Sequence, residues 1–198
     1  MDEKCIIGIT GGIGAGKSVV SRILRLKGYP VYDCDYEAKR LMDNNEDVIF
    51  LLKGLLSEAI YTEDGKLDRR LMSQKLFSDD EIRLGVNKIV HEAVRNDFLV
   101  WADQFVSPVF VESAILSTSL MDRFCTNVWL IDAPVGIRVE RVKKRNGLTE
   151  EEILARIASQ AREFDLLPKT KTETIDNSGE IPPVSYTHLR AHETLSDL

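Results

Sequence analysis

A glycine-rich stretch near the start of the chain, GITGGIGAGKS at residues 8–18, constrains the fold more than any other feature of the sequence. Residues 11–18, called the phosphate loop below, fit the pattern G-x-x-x-x-G-K-S, in which small residues let backbone N–H groups converge on an anion. Lys17 supplies a cation for the β- and γ-phosphates of a nucleotide, and the Ser18 hydroxyl is a hard oxygen ligand that suits Mg²⁺. The stretch therefore predicts a site for ATP and Mg²⁺. Its residues are Gly12, Ile13, Gly14, Ala15, Gly16, Lys17, Ser18 and Val19.

The segments on either side of the loop match what such a loop requires. CIIGIT (residues 5–10) is short and apolar, with β-branched residues, which predicts a buried parallel strand. KSVVSRILRLKG (residues 17–28) has apolar residues at helical spacing, so a helix begins where the loop ends, and a helix N-terminus favours phosphate. A glycine turn with a chance Lys-Ser pair would lack this context.

Short strands and helices alternate through much of the chain. Further strand candidates lie at residues 29–35, 108–116, 127–134 and 172–179. This alternation predicts an α/β fold of three layers, α/β/α, with a parallel five-stranded sheet covered by helices on both faces.

Two helical segments interrupt the alternation. Residues 45–107 show long helical periodicity and few strand signals, so we expect a helical insertion there. Residues 138–165 are predicted to form two helices, the second opened by a capping box of Thr149 and Glu152, and we expect them to act as a lid. The expected nucleotide-binding core consists of residues 1–44, 108–137 and 166–179.

Composition excludes several classes of partner. The formal net charge of −6 argues against a nucleic-acid binder, whose footprint would be basic. The three cysteines are far apart and form no C-x-x-C, which predicts reduced thiols in a cytoplasmic protein. No apolar stretch approaches the ~20 residues that cross a bilayer, so we expect no membrane partner. We expect a monomer or a small homo-oligomer.

Phosphate binding alone leaves the reaction open. A GTPase would carry N-K-x-D to recognise guanine, but the only Asn-Lys pair, Asn87-Lys88, is followed by Ile89-Val90. A motor or large ATPase would need a longer chain. The favoured class is a kinase that phosphorylates a small molecule or nucleotide, and the less favoured alternative is a nucleotide-dependent switch.

Two acids follow the second strand candidate. Asp33 and Asp35 are two residues apart, so both face one side of an extended segment. In a parallel sheet of this kind the carboxyl end of that strand lies beside the phosphate loop, where a carboxylate can orient an acceptor hydroxyl and take its proton. We assign this role to Asp33, while Asp35 could instead cap the next helix. Glu112 and Asp132 each end a strand candidate, and either could hold a water on Mg²⁺.

Arginines are concentrated in the lid. Phosphoryl transfer spreads negative charge over the equatorial oxygens, and an arginine that closes over them stabilises that charge while the lid excludes water. The candidates are Arg138, Arg141, Arg145 and Arg156. A solvated charged face is the alternative for any one of them.

Taken together, these segments resemble the dephospho-CoA kinase family. GITGGIGAGKS is similar to its phosphate loop, VYDCDYEAK to its D-x-D-x-x-A-basic segment, DGKLDRRLMSQKLF to its D-G-x-L-D-R stretch and VNKIVHEAV to its L-N-x-I-x-H-P stretch. VFVESAIL, RIASQ and IDNSG match later blocks, so the resemblance spans residues 6–179. It implies ATP-dependent phosphorylation of the ribose 3′-hydroxyl of dephospho-coenzyme A, the last step of coenzyme A biosynthesis.

The resemblance also implies roles for particular residues. It makes residues 45–107 the part that binds the coenzyme substrate, and it makes Asp33 the catalytic base, assisted by Lys17 and Arg141. The implied substrate-binding residues are Asp33, Arg69, Asn87, His91 and Glu112, and the implied nucleotide contacts in and beyond the lid are Arg145 and Asn177. Without the resemblance, His91 would be read as a packing residue beside the apolar stripe of its helix.

The chain departs from the family pattern at two places. Glu92 follows His91 where the family has proline. Residues 180–198, EIPPVSYTHLRAHETLSDL, stand where the family has an amphipathic C-terminal helix. We expect this segment to be a non-native tail, and we expect the chain to be less stable without a closing helix.

Overall fold

The computed structural model describes residues 4–106 and 108–179. The strands are β1 (Ile6–Thr10), β2 (Val31–Asp33), β3 (Val109–Glu112), β4 (Asn127–Asp132) and β5 (Thr172–Asp176). The helices are α1 (Lys17–Leu26), α2 (Cys34–Asn44), α3 (Glu46–Leu56), α4 (Arg69–Ser78), α5 (Asp80–Ala102), α6 (Val135–Asn146) and α7 (Glu150–Asp165). The expected non-native tail, residues 180–198, lies outside the described residues.

The strands form one parallel sheet in the order β2-β3-β1-β4-β5, which confirms the predicted α/β fold. The central strand β1 pairs with β3 and β4, with Ile9 opposite Glu112 and Thr10 opposite Leu130. Every residue of β1 is buried, as expected for an apolar strand covered on both faces. The phosphate loop therefore leaves the middle of the sheet at its carboxyl edge, where α/β folds bind their ligands.

The chain divides into two compact units. The first contains the described residues up to Tyr32 and from Phe105 onward, and the second is Asp33–Gln104. The sequence placed residues 1–44 in the core, whereas the structure groups α2 with the second unit. Helix α2 packs against α5 and α3 of that unit, and Arg40 of α2 also pairs with Asp97 of α5 at 2.7 Å.

The first unit is built around the sheet. Its apolar cluster includes a row of aromatic rings, in which Phe110 lies with its centroid 5.5 Å from those of both Tyr29 and Trp129. Helices α6 and α7, the predicted lid, pack on each other around a smaller cluster of Val139, Val142 and Ile153. The capping box of Thr149 and Glu152 that opens α7 is present as predicted.

The second unit is helical, as the sequence predicted. Helix α3 ends at Leu56, and a single 3₁₀ turn follows at Glu58–Ile60. Asp68 and Asp79 cap α4 and α5 through hydrogen bonds to backbone N–H groups of the first turn. Within the described ranges, none of the helices combines the length and apolar character that a bilayer-crossing segment requires.

Candidate active site

The phosphate loop joins β1 to α1 within the first unit. Gly16 has a left-handed backbone, with φ of +103°, and is the N-cap of the helix that begins at Lys17. The Lys17 Nζ donates to the carbonyl oxygen of Gly11 at 2.7 Å, so the amine lies over the start of the loop. Ser18 and Val19 are exposed in the first turn of α1. The predicted nucleotide residues thus form a glycine loop that ends in a helix N-terminus, which is an anion-binding arrangement.

Two side chains from later in the sequence hold loop carbonyl groups on one side. Asn177 Nδ2 donates to the carbonyl of Ala15 at 2.7 Å. The guanidinium of Arg141 lies 3.4 Å from the carbonyl of Gly14 and donates to the carbonyl of Asn177 at 2.8 Å. The C=O and N–H of a trans peptide point in opposite directions, so the N–H of Gly16 faces away from Asn177. These contacts fix the orientation of the loop peptide groups.

Asn177 explains why position 16 is glycine. A Cβ at Gly16 would stand 2.1 Å from Asn177 Nδ2, closer than any real contact. Asn177 is itself buried, and its backbone N–H donates to the carbonyl of Asp132 at 2.7 Å. The sequence missed this bracing role, and its assignment of Asn177 to the adenine of ATP stays a prediction.

The two lid arginines implied by the family lie on α6 in different surroundings. Arg141 is half-buried against the loop carbonyls. Arg145 is exposed near the end of the helix, where its Nε donates to Asn146 Oδ1 at 2.7 Å. The roles of both in phosphoryl transfer stay predictions.

Glu112 and Asp132 end β3 and β4, the two neighbours of the strand that precedes the phosphate loop. The side chain of Asp132 is 57% exposed, with Oδ1 3.9 Å from Arg138 Nη1. Glu112 is half-buried. The described residues hold no group of three or more His, Cys, Asp and Glu that could bind a metal by themselves. Mg²⁺ in phosphate sites commonly takes only one or two protein ligands and completes its shell with phosphate and water, and the exposed hydroxyl of Ser18 is an oxygen ligand of the kind it prefers.

Asp33 ends β2 and begins the second unit. Its Oδ1 accepts the backbone N–H groups of Asp35 at 3.1 Å and Tyr36 at 3.0 Å, so Asp33, and not Asp35, is the N-cap of α2. Among the described residues, no hydrogen bond to its Oδ2 is found. One carboxylate oxygen thus fixes the side chain and the other can receive an acceptor hydroxyl.

The implied acceptor residues lie in the second unit. Arg69 is the first residue of α4 and pairs with Asp43 at 2.7 Å. Asn87 and His91 are four residues apart and therefore share one face of α5, on which both are half-buried. Burial, together with the positive charge of Arg95, lowers the pKa of His91 below its ordinary value of 6.5. The imidazole is therefore neutral at neutral pH.

Comparison with known proteins decides the family. The family model for dephospho-CoA kinase matches residues 5–183. The chain belongs to the dephospho-CoA kinase family. It is 42% identical over 173 residues to a dephospho-CoA kinase of Porphyromonas gingivalis, a match that covers 87% of this chain and 85% of the relative. It is also 38% identical over 177 residues to a dephospho-CoA kinase of Thermus thermophilus, which covers 89% and 84% of the two chains.

Solved structures agree with this assignment at the level of the fold. A crystal structure from Thermus thermophilus superposes with a TM-score of 0.78 at 33% identity and covers 100% of this chain and 99% of that one. A shikimate kinase of Acinetobacter baumannii reaches a TM-score of 0.57 at 17% identity, over 98% of this chain and 94% of that one, and shows the fold alone. As a member of a kinase family, the chain uses ATP as a substrate.

Proposed function

We propose that this chain transfers the γ-phosphoryl group of ATP to the ribose 3′-hydroxyl of dephospho-coenzyme A, giving coenzyme A and ADP. The family match over residues 5–183 is the observation that carries the proposal. The phosphate loop and the helical unit of Asp33–Gln104 supply parts of the kind that such a transfer requires, one for the donor and one for the acceptor.

In the proposed mechanism the chain positions two ligands and manages one proton. Loop N–H groups and Lys17 hold the triphosphate. Ser18 would be the protein ligand of Mg²⁺, and Glu112 or Asp132 would hold a water on the ion. Mg²⁺, when bound, neutralises charge on the β- and γ-phosphate oxygens. Asp33 accepts the proton of the 3′-hydroxyl through its Oδ2 as that oxygen attacks phosphorus, and this type of assistance contributes a factor of ~10²–10⁴ in rate.

Charge stabilisation and water exclusion complete the mechanism. We assign Arg141 and Arg145 to the lid, where a guanidinium stabilises the oxygens of the moving phosphoryl group. No covalent intermediate with the protein is needed, since phosphoryl transfer depends on positioning and electrostatics. A lid that keeps water out prevents ATP hydrolysis when the acceptor is absent.

The acceptor is oriented in this proposal by Arg69, Asn87 and His91. The guanidinium of Arg69 is a charged donor that suits a substrate phosphate, and release from Asp43 would accompany that contact. A neutral His91 offers one hydrogen-bond donor and one acceptor, and the side-chain amide of Asn87 offers two N–H donors and an acceptor oxygen. The neutral side chains of His91 and Asn87 match the hydroxyl and amide groups of a coenzyme better than they match a simple anion.

The decisive experiment is an acceptor panel. ADP release from Mg·ATP is measured with dephospho-coenzyme A, shikimate, a nucleoside, a nucleoside monophosphate and no acceptor. We expect release only with dephospho-coenzyme A, and a product phosphorylated at the 3′-oxygen. Transfer to another acceptor would replace the proposed substrate, and ADP release without any acceptor would indicate a nucleotide-dependent switch.

We further propose that the protein works in the cytoplasm as a monomer or small homo-oligomer. All three cysteines, Cys5, Cys34 and Cys125, are buried free thiols, as a reducing compartment allows. Burial raises the pKa of Cys125 to about 12, so this thiol stays protonated and unreactive.

A further inference from the structure

Helices α6 and α7 contact Ile13 of the phosphate loop through its backbone N–H, its carbonyl and its side chain. Its backbone N–H donates to Gln160 Oε1 of α7 at 2.8 Å. Its carbonyl accepts from Arg138 Nε of α6 at 3.0 Å. Its side chain packs against the apolar cluster that α6 and α7 share. Ile13 is thus the loop residue that both lid helices contact, in addition to the contacts of Arg141 with the carbonyl groups of Gly14 and Ala15.

Arg138 is unusual among the lid arginines because it is buried. The residue is only 7% exposed. Within the described residues, the hydrogen bond that its guanidinium makes is the one from Nε to the carbonyl of Ile13. Its Nη1 is 3.9 Å from Asp132 Oδ1, and its Nη2 is buried without a hydrogen-bond partner in the part of the chain that the structure describes. A buried guanidinium with so few partners is costly, so this placement does not serve stability.

The loop sequence accommodates this arginine. A Cβ at Gly12 would stand 2.0 Å from Arg138 Nη2 and 2.7 Å from its Cζ. A side chain at the second residue of the loop would therefore displace the guanidinium of Arg138 from this position.

We propose that Arg138 and Gln160 are positioning residues for ATP, which act by fixing both peptide groups of Ile13. Holding the carbonyl of Ile13 toward α6 turns the N–H of the next residue, Gly14, the other way, because a trans peptide points its two polar groups in opposite directions. The N–H of Gly14 is thus a donor on the side of the loop opposite the lid helices. Asn177 orients the N–H of Gly16 in the same way, by holding the carbonyl of Ala15. The proposal rests on the proposed function, since it assumes that the loop binds ATP.

The test uses variants that remove each hydrogen bond to Ile13 without a larger side chain. Arg138→Met and Gln160→Met are compared with Arg162→Met and Gln74→Met, which change exposed residues of α7 and α4. Dissociation constants for Mg·ATP are measured by calorimetry without acceptor, and the KM for dephospho-coenzyme A and the melting midpoint are measured in parallel. Hydrogen bonds of this kind correspond to about a tenfold change, so we expect the ATP constant to rise about tenfold in each lid variant.

The pattern of results separates positioning from general loosening. We expect the KM for dephospho-coenzyme A to stay unchanged, and we expect the double variant to lose less than the product of the two single effects, because both residues act on Ile13. Unaltered ATP binding in both lid variants overturns the proposal. So does a joint rise of both ligand constants with a lower melting midpoint, which indicates loosening of the whole chain. If the wild type binds no ATP, the proposed function fails too, whereas ATP binding without transfer to dephospho-coenzyme A contradicts only the proposed acceptor.

Discussion

The carboxylate of Asp33 accepts the backbone N–H of Tyr36 at 3.0 Å, so the residue proposed as the catalytic base is also the N-cap of α2. The cap uses Oδ1, which fixes the plane of the carboxylate and leaves Oδ2 available. A base held in this way is preorganised, because no rotamer has to be selected when the acceptor binds. The same double role means that removing the side chain would change helix stability and chemistry together.

The substitution Asp33→Asn separates these two roles. Asparagine caps helices about as well as aspartate, so the melting midpoint should stay close to that of the wild type. Its amide cannot take a proton, so kcat should fall by ~10²–10⁴ with little change in the KM for either substrate. Both values come from ADP release with dephospho-coenzyme A.

Asp79→Asn is the matched control for this substitution. Asp79 caps α5 with the same geometry, through bonds to the N–H groups of Glu81 at 2.8 Å and Ile82 at 3.1 Å, and has no proposed part in the reaction. Its kcat should match that of the wild type. Equal activity of Asp33→Asn and the wild type would remove Asp33 from the mechanism.

A substitution at Asn177 tests whether this side chain stabilises the loop or contacts the adenine of ATP. Asn177→Asp places a carboxylate oxygen against the carbonyl of Ala15, where an N–H now donates at 2.7 Å in a buried site. The free energy of unfolding should fall by about 1–3 kcal/mol, and ATP and GTP should lose affinity alike. Urea unfolding and nucleotide titrations measure both, with Asn96→Asp as an exposed control. A selective loss of ATP over GTP at unchanged stability would instead support the adenine contact.

The parts of the fold that depend on local pattern could be predicted from the sequence. The strand before the phosphate loop and the capping box at Thr149 were both predicted, because each depends on residues within a few positions of one another. The polar braces of the loop were not predicted. Gln160 contacts Ile13 from 147 residues away, and Asn177 contacts Ala15 from 162 residues away. Such pairings depend on where the sheet order brings two segments, which periodicity does not encode.

Arg138 and Arg141 also make contacts that the sequence did not predict. Arg138 and Arg141 were read together as lid arginines aimed at phosphate, because helical spacing alone cannot tell a buried guanidinium from an exposed one. In the structure both contact loop carbonyl groups. The one sequence signal for Gln160 is its position at the end of the RIASQ block. That block does not indicate a function by itself, because the partner of Gln160 is Ile13, far away in the sequence.

The contact between Gly12 and Arg138 predicts a specific non-additivity. Gly12→Ala should weaken Mg·ATP binding in the wild type, because the added methyl group would overlap a guanidinium that now stands 2.0 Å from its position. In the background Arg138→Ala the space is empty, so the same methyl group should cost much less. The coupling between the two changes should be at least ~0.5 kcal/mol in ATP binding, measured by a double-mutant cycle. Strict additivity would show that Gly12 is required by the ligand alone.

His91 predicts a pH dependence of stability. Burial and Arg95 lower the pKa of His91 in the folded chain, so below pH 6.5 the unfolded state binds more protons than the folded state. The free energy of unfolding should therefore fall as the pH drops through 6.5, and this contribution should level off below the folded pKa. His91→Gln should show a flatter profile over the same window. Parallel profiles in urea titrations would mean that His91 is not desolvated in solution.

The buried carboxylate of Glu163 predicts a loss of stability from a single isosteric change. Its buried carboxylate accepts the N–H of Ser117 at 2.6 Å, the N–H of Thr118 at 3.1 Å and the hydroxyl of Thr118, so every neighbour is a donor. In Glu163→Gln one oxygen becomes an NH₂ group that faces those donors, and the free energy of unfolding should fall by about 1–3 kcal/mol. For a chain of this size each kcal/mol lowers the melting midpoint by about 2–4 °C. Glu151→Gln, on the exposed start of α7, should leave the midpoint unchanged, and equal midpoints for both variants would mean that the Glu163 bonds contribute no net stability.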